Sequence, residues 1–315
     1  MSRVLVLVLG AGELGLPILR SLSNSPTPSR PAITLLIRPS TLSSPSPSKS
    51  QELAHLRDLG VSFLAADIAT SNATELASHF RNFDIIISCT GFAGGSGTQL
   101  KLARAVCAAG VAHYYPWQFG VDYDIIGPEA ANGIFREQCE VRRLLRGQDK
   151  TKWTIVSTGM FTSFLFEAFF GVVEGLESAG ADGEAVVVRA LGSWGNEVTV
   201  TTPEDIGRVV SRLVLEDRRA GVVFTAGDTV SYGRLADLVE RQIGKKVRRE
   251  VWSLDFLRAE LETDPENQIK KYRCLFAEGK GVSWDRASTV NEELNIKTTD
   301  VQGFLSSEAS PPREQ

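Results

Sequence analysis

This chain predicts a doubly wound α/β architecture: a parallel sheet covered by helices, followed by a smaller C-terminal α/β lobe. Three observations point there. Short apolar runs alternate with amphipathic helical segments through the first half. Those runs are apolar on both faces, as a sheet sandwiched between helix layers requires. The pattern Gly10-x-Gly12-x-x-Gly15 follows the first run directly and opens a helix. At 315 residues, 43% hydrophobic and 23% charged, the chain can bury a core for one large domain or two intimate ones.

Six runs read as strands in order: "RVLVLVL" at 3–9, "AITLLI" at 32–37, "VSFLAA" at 61–66, "FDIIIS" at 83–88, "AHYYP" at 112–116 and "WTIVST" at 153–158. Helical segments near 13–23, 51–59, 73–81, 98–109 and 130–147 lie between them. The first domain is assigned to residues 1–157. Two Ser/Pro-rich inserts, at 23–31 and 39–50, read as surface loops, because proline removes a donor and restricts its predecessor. Beyond 158 the alternation becomes irregular. Strand-like "EAVVVRA" and "GVVFTAG" mix with helices at 203–216, 231–243 and 265–278, which suits a substrate-binding lobe over 158–305. The tail at 306–315 reads as disordered.

A net charge of −4 and a pI near 5.6 give no electrostatic reason to expect nucleic acid, and the short basic run 245–249 reads as a solvated face. Cys89, Cys107, Cys139 and Cys274 stand alone and read as reduced, mostly buried thiols. His55, His79 and His113 show no metal-ligand spacing, and no metal is expected. The most apolar stretches fall short of a bilayer span, so no membrane partner and a cytoplasmic location are expected. A homodimer is compatible with all of this.

The glycine turn carries the clearest chemistry. In Gly10-Ala11-Gly12-Glu13-Leu14-Gly15, the first glycine permits the tight turn, the second lets backbone amides approach a pyrophosphate, and the third lets helix and strand pack closely. The helix N-terminus adds stabilisation of negative charge. This is the fingerprint of a Rossmann-type dinucleotide site. At the end of the second strand, where an NAD enzyme places an acidic residue, the chain has Arg38, with Lys49 beyond it. Two cations there favour a 2′-phosphate, hence NADPH.

The segments "GAGELG", "IRPS" with Lys49 ahead of "LRDLGVSFLAADI", "FDIIISCTG", "YPWQFGVDYD" and "FREQCEVRRLL" resemble, in that order, the NmrA-like, isoflavone-reductase-like branch of the short-chain dehydrogenases. That branch includes phenylcoumaran benzylic ether and pinoresinol reductases. With "RALGSWGNEVTVTTPEDIG" and "GDTVSYGRLADLVE", the likeness is greatest to fungal isoflavone-reductase-like proteins of the CipA type, and it covers about residues 3–250. It implies that the glycine turn, Arg38 and Lys49 hold NADPH and that Thr90, Gly91 and Phe92 line the cofactor's path. Trp117, Phe119, Met160 and Phe161 stand at or just past strand ends. They are candidates to wall a small aromatic or conjugated substrate, with plain core packing as the competing role.

The resemblance also aligns Gln138 with a catalytic lysine of those reductases. An amide cannot exchange a proton near neutral pH, but it can orient a substrate oxygen. The usual Tyr-x-x-x-Lys of short-chain dehydrogenases is absent too. Two functions stay open: an NADPH-dependent reductase, and a catalytically silent dinucleotide-binding sensor of the NmrA type.

Overall fold

The structure is a computed structural model that describes residues 3–25, 30–43, 46–176 and 185–308. The chain forms two compact units that interleave along the sequence. One comprises Met1–Phe119, Glu137–Val156 and Ile206–Val223, and the other Gly120–Arg136, Ser157–Asp205 and Phe224–Gln315.

The first unit is built on a seven-stranded sheet. Its strands are β1 (Leu5–Leu9), β2 (Ala32–Ile37), β3 (Ser62–Ala65), β4 (Ile85–Ser88), β5 (His113–Tyr115), β6 (Lys152–Ser157) and, at its edge, Gly221–Phe224, numbered β11 in chain order. The sheet order is β11-β6-β5-β4-β1-β2-β3, and the pairs from β6 through β3 are parallel. All six predicted strands are present; the central ones have both faces covered, as in β1, where Val6 to Leu9 are fully buried, while β3 at the sheet edge is only partly covered. On one face Leu7, Leu9, Ile86 and Tyr114 pack with Leu76 and Phe80, Leu102 and Val106, and Val141 and Leu145, contributed by the helices Ala73–Phe80, Thr98–Ala109 and Arg136–Arg146. A Cβ on Gly207 would fall 2.6 Å from the Pro17 carbonyl oxygen, so the helices Gly15–Ser23 and Pro203–Arg212 meet closely.

Three expectations need correction here. The segment 39–50 is largely helical rather than a loop: Pro39–Ser43 forms a short helix, and Pro47–Asp58 a longer one. Pro47 sits where a helix has no use for its N–H, and the Ser46 side chain accepts from the Lys49 amide as an N-cap. Strand-like "GVVFTAG" belongs to the large sheet as β11, so a stretch well beyond 157 returns to the first unit. Finally, residues 306–308 end the helix Val301–Glu308, and 309–315 lie outside the described residues. Of the first insert, Ser23 ends the helix Gly15–Ser23, and 26–29 lie outside the described residues.

The second unit carries two three-stranded sheets. One has β7 (Met160–Phe161), β10 (Glu197–Thr201) and β12 (Asp228–Ser231); the other has β8 (Val173–Glu174), β9 (Val187–Leu191) and β13 (Arg248–Trp252). Phe135 packs on Tyr123 and Tyr272 at ring separations of 4.7 and 5.7 Å, and Phe170 meets Phe164 and Phe276, so aromatic rings supply much of its core. The predicted basic face is paired: Lys246 meets Glu240, and Arg249 meets Asp237 and Glu240. No helix of the described residues is long and apolar enough to cross a membrane.

Candidate functional site

The glycine turn after β1 divides its labour as the motif requires. Gly10 has φ +98°, a conformation that side chains rarely adopt. A Cβ on Gly15 would overlap the Gly10 carbonyl, so only hydrogen lets the helix start that close to the strand. A Cβ on Gly12 would meet nothing within 4 Å. No protein contact asks for glycine at that position, whereas a ligand approaching the backbone does.

That turn forms one wall of a cleft of about 400 Å³ beyond the ends of β1, β2, β3 and β4. Gly10, Ala11, Gly12, Arg38, Lys49 and Thr90 all line it, together with Asp67 to Ala69 after β3 and Gly94 after β4. An adjoining pocket of about 470 Å³ shares Arg38, Thr41 and Lys49 and adds Ser40, Ser46, Ser48 and Glu52. Cations and hydroxyls thus dominate the far end of the cleft, while Leu35, Leu36, Ile37 and Ile68 line its middle. An elongated ligand with an anionic end and a flat apolar ring matches that distribution.

The remaining predicted cofactor residues are placed differently. Glu13 is exposed, and Leu14 is buried with its side chain in the core, so only its backbone is available to a ligand. Gly91 follows Thr90 but does not line the cleft. A Cβ on Gly91 would lie 3.7 Å from the Trp117 indole, which packs over it. Phe92 lies in the turn Gly91–Gly94, and its side chain lies outside the described residues. Buried Gln99 holds this loop: its Nε2 donates to the Gly91 carbonyl at 2.9 Å and to Thr90 Oγ1 at 3.4 Å. Nothing in the sequence singled out Gln99, an ordinary polar residue in the first turn of a helix.

Gln138 lies in the first turn of the helix Arg136–Arg146, 2% exposed, and its Oε1 is buried without a hydrogen-bond partner. Two neighbours fix this turn. The Glu137 carboxylate accepts from the Gly97 and Leu100 amides at 3.0 and 2.9 Å, capping the helix Thr98–Ala109 from outside. Gln118 Nε2 donates to the Gln138 carbonyl at 2.9 Å, and its Oε1 accepts from Arg142 Nε at 2.8 Å, all three residues being buried. Gln118 stands between Trp117 and Phe119, so one hydrogen bond ties the segment after β5 to the turn that carries Gln138. A buried Arg142 was not foreseen, because an arginine in a helix rich in charged residues gives no signal of burial.

Phe119 is buried and Trp117 half-buried in the first unit, while Met160 and Phe161 lie in β7 of the second, paired with Val200 and Thr201 of β10. His113 is structural. Burial, with Lys152 and Arg218 nearby, pushes its pKa down to about 4, and its Nε2 meets Thr154 Oγ1 at 2.7 Å. Burial also pushes the Cys89 thiol up, which suits packing rather than nucleophilic work.

A sheet in this order with a glycine turn after its central strand is the Rossmann-type architecture, with the cleft at the carboxyl ends of the strands. The chain belongs to the NmrA-like family, which matches residues 2–305. It is 45% identical over 303 residues, 95% of this chain and 96% of the relative, to an NmrA-like family domain-containing oxidoreductase of Gibberella moniliformis. It is 27% identical over 301 residues, 93% of this chain and 92% of the relative, to phenylcoumaran benzylic ether reductase 1 of Arabidopsis thaliana. Among solved structures, the leucoanthocyanidin reductase–NADPH complex from Vitis vinifera superposes with a TM-score of 0.75 at 20% identity, covering 96% of this chain and 98% of that one.

Proposed function

We propose that the protein is an NADPH-dependent reductase of a small aromatic or conjugated substrate. The observation that carries this reading is the continuous cleft, running from a glycine turn with free space over Gly12 to a pocket holding Arg38 and Lys49. The residues fit the cofactor. Ala11 and Gly12 offer backbone to a pyrophosphate, Ile37 and Ile68 offer apolar surface to an adenine, and Arg38 with Lys49 offers charge to a 2′-phosphate. The oxidoreductase relatives and the NADPH-bound structural neighbour support the same assignment.

When bound, NADPH supplies a hydride; this chain's residues supply position and polarity. By the resemblance to those reductases, Gln138 stands in for their lysine as the group that meets the substrate oxygen. Its buried, unpaired Oε1 leaves an acceptor unsatisfied, a deficit of about 1–3 kcal/mol that a substrate hydroxyl would relieve. Its amide N–H would donate to a carbonyl or quinone-methide oxygen, and water would bring the proton that an amide cannot. Trp117 and Phe119, in the same unit as Gln138, would flank the ring.

The neutrality of Gln138, an amide that cannot deliver a proton, favours a second reading, a dinucleotide sensor without turnover. One set of measurements separates the two. Calorimetric titration with NADPH and NADH should show tighter NADPH binding. NADPH oxidation should then appear with members of a panel of conjugated phenolic and quinonoid compounds. NADPH binding without oxidation by any of them would leave the sensor as the better account.

A further inference from the structure

We propose that Glu52 is a specificity-determining residue, a built-in competitor that weakens binding of a 2′-phosphorylated dinucleotide and leaves the unphosphorylated one untouched. The proposal rests on the cofactor reading above. Glu52 lines the pocket that also holds Arg38 and Lys49, with Thr41, Ser46 and Ser48 supplying hydroxyls. Lys49 Nζ donates to Glu52 Oε1 at 2.5 Å, and both side chains are half-buried, 30% and 26% exposed.

The charges explain the consequence. Two cations and one carboxylate leave the pocket with a single net positive charge, against a phosphate that carries roughly −1.5 to −2 at neutral pH. Glu52 therefore acts twice: it repels the phosphate directly, and it engages the ammonium that would otherwise meet it. It also draws that ammonium toward the second turn of the helix Pro47–Asp58, away from the N-terminal end where an anion is most favoured. Helix stability does not account for the pair, because an i,i+3 ion pair on a partly exposed helix contributes little. Nor does Lys49 need Glu52 to hold its helix, which Ser46 already caps.

The test is calorimetric titration of wild type, Glu52→Gln and Glu52→Ala with NADPH and with NADH. Both variants should bind NADPH about three- to tenfold more tightly at low salt, with NADH affinity unchanged and the gain shrinking as salt screens it. Unchanged NADH affinity also certifies that the variants are folded. If wild type prefers NADPH but both variants keep the same NADPH-to-NADH ratio, or bind NADPH more weakly, the proposal is overturned while the cofactor reading survives. If wild type and both variants alike show no preference for NADPH, the phosphate pocket itself is refuted, and both fall together.

Discussion

Replacing Gly12 by valine isolates the role of the glycine turn. Gly12 is exposed, its φ lies outside the left-handed region, and a Cβ there meets nothing within 4 Å. The protein should therefore tolerate the side chain, with a change in unfolding free energy of about 0.5 kcal/mol or less. The three added carbons occupy the space through which a pyrophosphate must approach the backbone. NADPH affinity should fall by at least about a hundredfold, about 2.7 kcal/mol. Gly15→Ala is the counterpart, since its single methyl would collide with the Gly10 backbone carbonyl, which cannot swing aside as a side chain could. That variant should lose about 1–3 kcal/mol of stability. Denaturant unfolding and NADPH titration of both proteins read the two effects separately. A folded Gly12→Val protein with undiminished NADPH affinity would refute the assignment of the turn, as would equal destabilisation by both substitutions.

Arg38→Asp should reverse or abolish the preference for NADPH, costing about 10–100-fold in NADPH affinity; equal losses for NADPH and NADH in a titration would show that Arg38 does not read the phosphate. Gln138→Ala should lower turnover by about one to two powers of ten without displacing its helix, because Gln118 bonds the Gln138 main-chain carbonyl, which alanine keeps. Gln138→Lys should be tolerated and should broaden activity toward substrates of the lysine-bearing reductases, read by steady-state kinetics over a pH range. His113 makes stability pH-dependent. Its pKa falls from 6.5 to about 4 on folding, so the unfolded chain binds the extra proton and stability is lost as pH drops through that window. The steepest slope from this group is about 1.4 kcal/mol per pH unit. His113→Gln, measured by denaturant unfolding at several pH values, should flatten the profile between pH 6.5 and 4, and an unchanged profile would count against the burial argument.

The sheet was legible because its signal is local: strands such as "DIIIS" and "LVLVL" are buried on both faces, and each announces itself within a few residues. The glycine turn was legible for the same reason. What escaped depended on partners far away in sequence. Proline in 39–50 was read as a breaker, although Ser46 before Pro47 is also how a helix begins, and only the cap decides between them. Gly221–Phe224 reads as a strand anywhere; which sheet it joins depends on a pairing the sequence does not display. Arg142 has the composition of a surface residue, and its burial follows from Gln118, twenty-four positions earlier. Glu137 looks like helix-surface charge until the amides of Gly97 and Leu100 are seen to need an acceptor.

The proposed transfer of hydride from NADPH to a conjugated substrate is tested most directly by following the hydride itself. The protein would be incubated with NADPH deuterated at nicotinamide C4, both faces labelled, and with the phenolic and quinonoid panel, and the products weighed by mass spectrometry. The account predicts at least one reduced product carrying a single deuterium, formed by wild type and strongly diminished in Gly12→Val. Saturable NADPH binding with no deuterated product from any compound would contradict the reductase and leave a dinucleotide sensor in its place.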